Sequence, residues 1–418
     1  MIGARRAGFR WRAAAMAIAV VCLPPSFALR AEPAPSTEER LDQGKAALAD
    51  GLYALAERCF RDVLSRGGGA TPENEESTIL LCRALLGQEK YQEILDLLRT
   101  RKFWFQDTED SGEFVYWRAL ARYYLTGPKE ALEELEGFEK RFSEDDARCR
   151  VWRLRARCFQ ETGATEKALR LYAAFDEHCT GAPETEDNLL DWGRVLMQQG
   201  AAEEAEPLFR RLAARTNAPA ASAQGAFWLG LSLLRQGQTD AAKSALETVC
   251  RDEGVAAELR ARAYYVYSDA MASETNVSGA VLSLTNGIAL AKTEALKREG
   301  RGRLGRLMLR SGEVDKGIAI LKRFVAGNTD DPQSAEAQLL IAEALLEGKR
   351  MDAALSAFQN YLEAFPDHRL GQGRGYAGKG WAMLGLSRYA EAAVAFLKAF
   401  TLSRASSPPG REAWLYKA

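Results

Sequence analysis

The chain has 418 residues, 47% of them hydrophobic and 27% charged, with a formal net charge of −1. That balance is ordinary for a soluble helical protein and gives nothing for a nucleic-acid surface to work with. Two histidines, His178 and His368, are all the chain contains, which removes most metal and general-base schemes.

The N-terminus differs from the rest. Arg5, Arg6, Arg10 and Arg12 lead into an apolar run from Ala13 to Leu23, followed by Pro24-Pro25. A charged start, a short apolar stretch and small residues at Ser26 and Ala28 read as a secretory signal peptide over residues 1–28, cleaved after Ala28. The run is too short to span a bilayer comfortably. The expected location is therefore periplasmic or secreted, with no stable membrane insertion after cleavage. Val21 before Cys22 argues against lipidation. Residues 29–37, with Glu32-Pro-Ala-Pro-Ser-Thr37, read as an extended linker. The first 31 residues hold five arginines and no acid, so residues 32–418 carry 51 basic and 57 acidic side chains, net −6.

From there a repeat of 37 or 38 residues recurs ten times over residues 38–404. One column reads Ala56, Ile94, Ala131, Ala168, Ala205, Ala242, Ala280, Gly317, Ala354, Ala392. With 70 alanines in 418 residues, eight in ten is far above chance. Twelve residues upstream every entry is small: Gly44, Cys82, Ala119, Ala156, Gly193, Gly230, Ser268, Gly305, Ala342, Gly380. Four residues beyond the alanine column every entry is large and apolar: Phe60, Leu98, Leu135, Tyr172, Phe209, Leu246, Leu284, Leu321, Phe358, Phe396. Small residues let two helices approach closely, and a large residue one helical turn on fills the space beside the contact. Each repeat is thus a helical hairpin, and the chain is all-α.

This spacing resembles the tetratricopeptide repeat, best in repeat four with Trp152, Ala156, Phe159, Gly163, Ala168 and Tyr172, and in repeat nine with Ile341, Ala342, Leu345, Ala354, Phe358, Tyr361 and Pro366. The resemblance implies a right-handed α-solenoid superhelix of about ten hairpins. Two departures stand out. The period exceeds 34 by roughly one helical turn, which predicts longer second helices or longer loops between repeats. Arg101 and Gly287 also weaken the apolar column three residues beyond the large one.

Six cysteines follow the signal: Cys59, Cys82, Cys149, Cys158, Cys179 and Cys250. In a hairpin the start of the first helix lies beside the end of the second, which makes Cys149 and Cys179 the pair placed for a disulfide. Cys82, in the small column, reads as a compact core residue. No C-x-x-C occurs. The junction Arg101-Lys-Phe-Trp-Phe105 is the least regular and most apolar one. Residues 405–418 form a short tail, whose Trp414 and Leu415 could cover the last repeat.

Several strings imitate chemistry. Gly300-Arg-Gly-Arg-Leu-Gly305 and Gly373-Arg-Gly-Tyr-Ala-Gly378 match G-x-G-x-x-G but fall inside first helices, where no strand-to-helix turn presents N–H groups to a phosphate. Asp107-Thr-Glu-Asp-Ser-Gly112 starts like a calcium loop, yet Arg118 stands at the twelfth position, where a bidentate carboxylate is required. His178 and Cys179 are adjacent on a helix and so do not face each other. The expectation is a protein that is not an enzyme, with no catalytic residues, metal or cofactor.

By resemblance, positions 2, 5, 9 and 12 of each first helix face the groove where such proteins bind partners, counting the small column as position 8. Position 5 contributes Tyr116, Arg153, Phe227 and Tyr265, and position 9 contributes Arg157, Arg194, Arg306 and Trp381. Arginine forks and aromatic faces suit an acidic peptide or a partner helix. The resulting reading is a non-catalytic scaffold of the bacterial cell envelope, similar to periplasmic tetratricopeptide proteins of Tol-Pal, outer-membrane assembly or exopolysaccharide export. The alternative is a carbohydrate binder in which Tyr116, Phe227, Tyr265 and Trp381 stack on sugar rings.

Overall fold

A computed structural model describes residues 35–67, 71–101, 111–142, 146–326 and 331–402. The signal segment, most of the linker, the junction from Lys102, Asp107–Asp110 of the calcium-like string and the C-terminal tail lie outside the described residues. Every regular element among the described residues is a helix.

The chain divides into two compact units, residues 1–109 and 110–418. The cut falls beside the irregular junction, although the repeat pattern runs through it. In the first unit α1 (Thr37–Ala49) pairs with α2 (Tyr53–Arg66), and α3 (Pro72–Leu86) with α4 (Tyr91–Arg101). The second unit starts with α5 (Gly112–Leu125), whose second helix is split into α6 (Pro128–Glu134) and α7 (Phe138–Arg141). Seven unbroken hairpins follow: α8 (Arg148–Glu161) with α9 (Thr165–His178), α10 (Thr185–Gln198) with α11 (Ala202–Ala213), and α12 (Pro219–Arg235) with α13 (Thr239–Arg251). Next come α14 (Ala257–Ser273) with α15 (Val277–Leu290), α16 (Glu294–Arg310) with α17 (Val314–Val325), α18 (Pro332–Glu347) with α19 (Met351–Ala364), and α20 (Arg369–Gly385) with α21 (Tyr389–Leu402).

The three sequence columns meet inside each hairpin. All ten large residues are buried, as are all ten of the alanine column. The small residue of the first helix lies directly on the large residue of the second: an added methyl at Gly44 or Gly193 would sit 2.5 Å from the ring of Phe60 or Phe209, and one at Gly230 would sit 2.5 Å from Leu246. Close approach, and not backbone freedom, is why glycine stands there. The same cause explains the glycine strings, since Gly300, Gly302 and Gly305 are buried within α16 against Tyr265, Phe324 and Leu321.

One column escaped the sequence reading. Five residues before the alanine column, the turn residue has positive φ in nine repeats: Gly51, Glu89, Gly163, Gly200, Gly237, Thr275, Gly312, Lys349 and Ser387. The next residue's N–H then donates back five residues to a carbonyl of the first helix, as from Lys90 to Leu85, Asn276 to Met271 and Arg350 to Leu345. This is the left-handed helix stop that satisfies the last orphan carbonyls.

The period also resolves differently from expectation. α12, α14, α16 and α20 run 17 residues, whereas their second helices run 12 to 14. The additional length sits in the first helices and not the second. Turns within most hairpins take three residues and, in the second unit, those between hairpins take three to six, so the loop half of the expectation holds there. Repeat three breaks at Gly137, in the left-handed region at φ 71°, yet Ala131, Leu135 and Phe138 all remain fully buried.

Candidate functional site

In the second unit, each first helix touches the first helix of the next hairpin, from α5 on α8 through to α18 on α20. This first-helix face is the surface on which the predicted partner-binding residues were placed, and their fates divide into three.

Tyr116, Arg153, Arg157 and Arg194 come together across α5, α8 and α10. The Arg153 guanidinium reaches both Asp187 and Asp191 of α10, each at 3.1 Å. Arg157 donates from Nη2 to the Tyr123 hydroxyl at 3.2 Å, and its guanidinium stacks 5.1 Å from that ring's centroid. Tyr123 in turn donates to Glu161. Arg150 pairs with Glu113 and lies 5.0 Å from the centroid of Tyr116. Arg194, exposed, stands 4.0 Å from Asp191 and 5.5 Å over Trp228, which itself stacks on Phe209 at 5.8 Å. Three arginines thus rest on aromatic rings of a neighbouring first helix, an arrangement that holds each guanidinium plane in place. Arg150 is engaged by Glu113 and Arg157 by the Tyr123 hydroxyl, while Arg194 is the one whose edge is exposed to an acceptor.

Burial pushes the phenols of Tyr116 and Tyr123 up to about 12, with Glu184 adding to the effect at Tyr116 and the Glu161 hydrogen bond at Tyr123. Arg157 is held above the ordinary arginine range: burial works against its charge, but Tyr123, Tyr124 and Asp191 outweigh it. At neutral pH the patch therefore holds fixed cations and neutral phenols, with Glu113, Asp187 and Asp191 paired to Arg150, Arg153 and Arg194 and Glu161 bonded to Tyr123. It can recognise an anion or a planar group.

Phe227 and Tyr265 are placed elsewhere. Both are core residues, 8% and 1% exposed, and offer a partner no face. Phe227 packs with Val249, Cys250, Ala263 and Val266. Tyr265 fills the gap left by the missing large residue at Gly287: methyls added at Gly287 and Gly300 would lie 2.6 and 2.5 Å from its side chain, and its hydroxyl donates to the Leu296 carbonyl at 2.9 Å. Two of the four aromatics assigned to sugar stacking are thereby removed from the surface.

Arg306 and Trp381 stay at the surface but apart from the cluster. Arg306 on α16 shares a cleft with Arg298, Arg303 and Gln333. Withdrawal from water and the neighbouring Arg303 lower its pKa, against Asp269, Glu299 and Glu336. Arg298 and Arg303 are committed to Asp331 and Asp269. Trp381, 39% exposed, rests edge-on against Phe396 at 5.5 Å.

Sequence reasoning missed Tyr123, Arg150, Asp187, Asp191 and Trp228. The first three occupy groove positions 12 and 2, so the resemblance had already marked their places; Asp191 and Trp228 stand at position 6 and carried no signal. The disulfide expectation holds, with Cys149 and Cys179 bonded and their Cα atoms 5.9 Å apart. That bond removes the thiol from the His178–Cys179 pair, and His178 packs edge-on against Trp152. Arg118, at the twelfth position of the calcium-like string, pairs with Glu134 at 2.8 Å.

A tetratricopeptide-repeat family model matches residues 190–247 and 303–369. No curated protein matches the chain. Among solved structures, a tetratricopeptide repeat protein from Parabacteroides merdae is 15% identical, covering 65% of this chain and 98% of its own, with a TM-score of 0.45. The Cut9–Hcn1 hetero-tetramer of the APC/C is 14% identical over 88% of both chains, TM-score 0.37. YrrB, described as a TPR protein with an unusual peptide-binding site, is 16% identical, covering 44% of this chain and 87% of its own, TM-score 0.34.

Proposed function

We propose that this chain is an exported, non-catalytic scaffold of the bacterial cell envelope that binds an acidic peptide or helix of a partner protein on the first-helix face of α5, α8 and α10. Tetratricopeptide repeats generally mediate protein–protein interaction, and the family model matches two stretches of the array. The observation that carries the reading is the set of arginines stacked on Tyr116, Tyr123 and Trp228. Their planes are fixed in advance, which lowers the entropy lost when a carboxylate docks. Export is supported by the signal-like residues 1–28 and by the Cys149–Cys179 bond, a feature of oxidising compartments.

A pull-down from periplasmic extract tests it, comparing wild type with the Arg153→Glu/Arg157→Glu/Arg194→Glu triple variant and with Arg194→Glu alone. Arg153 also bridges α8 to α10, so circular dichroism must confirm that the triple variant is folded. Loss of partner in both variants is expected; equal recovery by folded variants and wild type would remove the groove assignment.

A further inference from the structure

The second helices carry a different surface. α17 and α19 each pack on α18 and leave between them a cleft of about 600 Å³, floored by Ile341 and Leu345. A second cleft of about 350 Å³ lies on α20 and α21, with Met383 at its base. The two are the same feature one repeat apart: seven of the eight residues lining the second stand 38 positions after residues lining the first, Leu345 answering to Met383 and Ser356 to Val394. A cleft that recurs in register is a property of how the repeats pack and not an accident of one side chain.

The chemistry of both clefts is one-sided. Apolar residues make the floor, and Val394 of α21, which lines the second cleft, is 54% exposed. The rims carry Lys322, Lys379 and Lys398, none of which forms an ion pair among the described residues; Lys398 lies 5.4 Å over the Tyr376 ring. The acids at the rims are already committed, Asp315 to Arg350 at 2.6 Å and Glu391 to Arg388 at 2.5 Å. Unpaired cations around an apolar floor are complementary to a helix with an apolar stripe and acidic flanks. A helix is the right shape for the first cleft, which lies between α17 and α19 where both pack on α18, so ridges can enter its groove as they do elsewhere in the array; the second, on α20 and α21, continues the same face.

We infer that the second-helix clefts of α17–α21 form a second docking surface, separate from the first-helix face, for an acidic amphipathic helix of a partner protein. The test is fluorescence anisotropy of a labelled synthetic peptide of about four helical turns, with leucine at the i, i+3, i+4 and i+7 positions and glutamate elsewhere, titrated with the full chain. A second peptide carries lysine in place of glutamate. Ser356→Glu/Val394→Glu changes two exposed residues and keeps the core. The glutamate peptide is expected to bind, with affinity reduced about tenfold by lysine in the peptide or by the double substitution and unaffected by Arg194→Glu. Absence of saturable binding, equal binding of the two peptides, indifference to Ser356→Glu/Val394→Glu, or loss through Arg194→Glu would each overturn the assignment.

Discussion

Tyr265 illustrates how a single side chain can satisfy a local rule and still do something else. Its position in the repeat marks it for the groove, but Gly287 opposite has no side chain, and a ring turned inward fills that space and finds the Leu296 carbonyl. Tyr265→Ala should cost about 3–5 kcal/mol in denaturant unfolding, whereas Tyr265→Phe, which loses only the hydrogen bond, should cost about 1 kcal/mol; equal small effects would mean the ring is not the plug. Thr275 makes the reverse case. It holds φ 63° at a turn where most repeats place glycine, and a β-branched residue is strained there. Thr275→Gly should raise stability by about 0.5–1 kcal/mol after the entropy of the unfolded glycine is subtracted, measured by the same unfolding curves. The role of Tyr265 was not readable from its own column, because it depends on what the Gly287 column lacks; Thr275 is strained within its own column, where Gly51, Gly163, Gly200, Gly237 and Gly312 stand in other repeats.

At the scale of the helix, the sequence was most legible where one hairpin closes on itself. Small-on-large packing and the Cys149–Cys179 bond both join first to second helix within a repeat, so periodicity alone locates them. Less legible was where the length goes: a period counts residues without saying which helix holds them, and 17-residue first helices beside shorter second ones leave the same spacing between columns. The break at Gly137 was equally silent, since the buried residues on either side keep their order. For the disulfide, the closed loop spans 30 residues of sequence. Cys149→Ser should lower stability by about 3–4 kcal/mol, with amide exchange rising first in α8 and α9. Exchange rising evenly over all hairpins would contradict a local staple.

For the molecule as a whole, stability in a row of hairpins is a sum of nearest-neighbour terms. Gly193→Leu forces a side chain into the Phe209 ring and should cost about 1–3 kcal/mol, with exchange protection lost in α10, α11 and the adjoining hairpins but kept in α18 to α21. Protection lost equally at both places would mean that the second unit behaves as one cooperative block. The candidate sites were only half legible at this scale. Which residues stand on first helices follows from counting, so Arg153, Arg157 and Arg194 could be placed on α8 and α10 from the sequence. That α17 and α19 part over α18 depends on how successive hairpins are rotated, which no single repeat encodes, so the lysine-rimmed clefts were invisible.

The glycine-on-phenylalanine contact bears on how such a chain can change length over generations. Because the same small-on-large fit recurs in hairpin after hairpin, and a glycine-on-phenylalanine fit also joins α20 to α19 of the hairpin before it, removing or duplicating a stretch of 37 or 38 codons would bring together surfaces of the same kind. Array size can then drift by whole units while each surviving unit stays intact, and the first-helix and second-helix faces would shorten or lengthen in step.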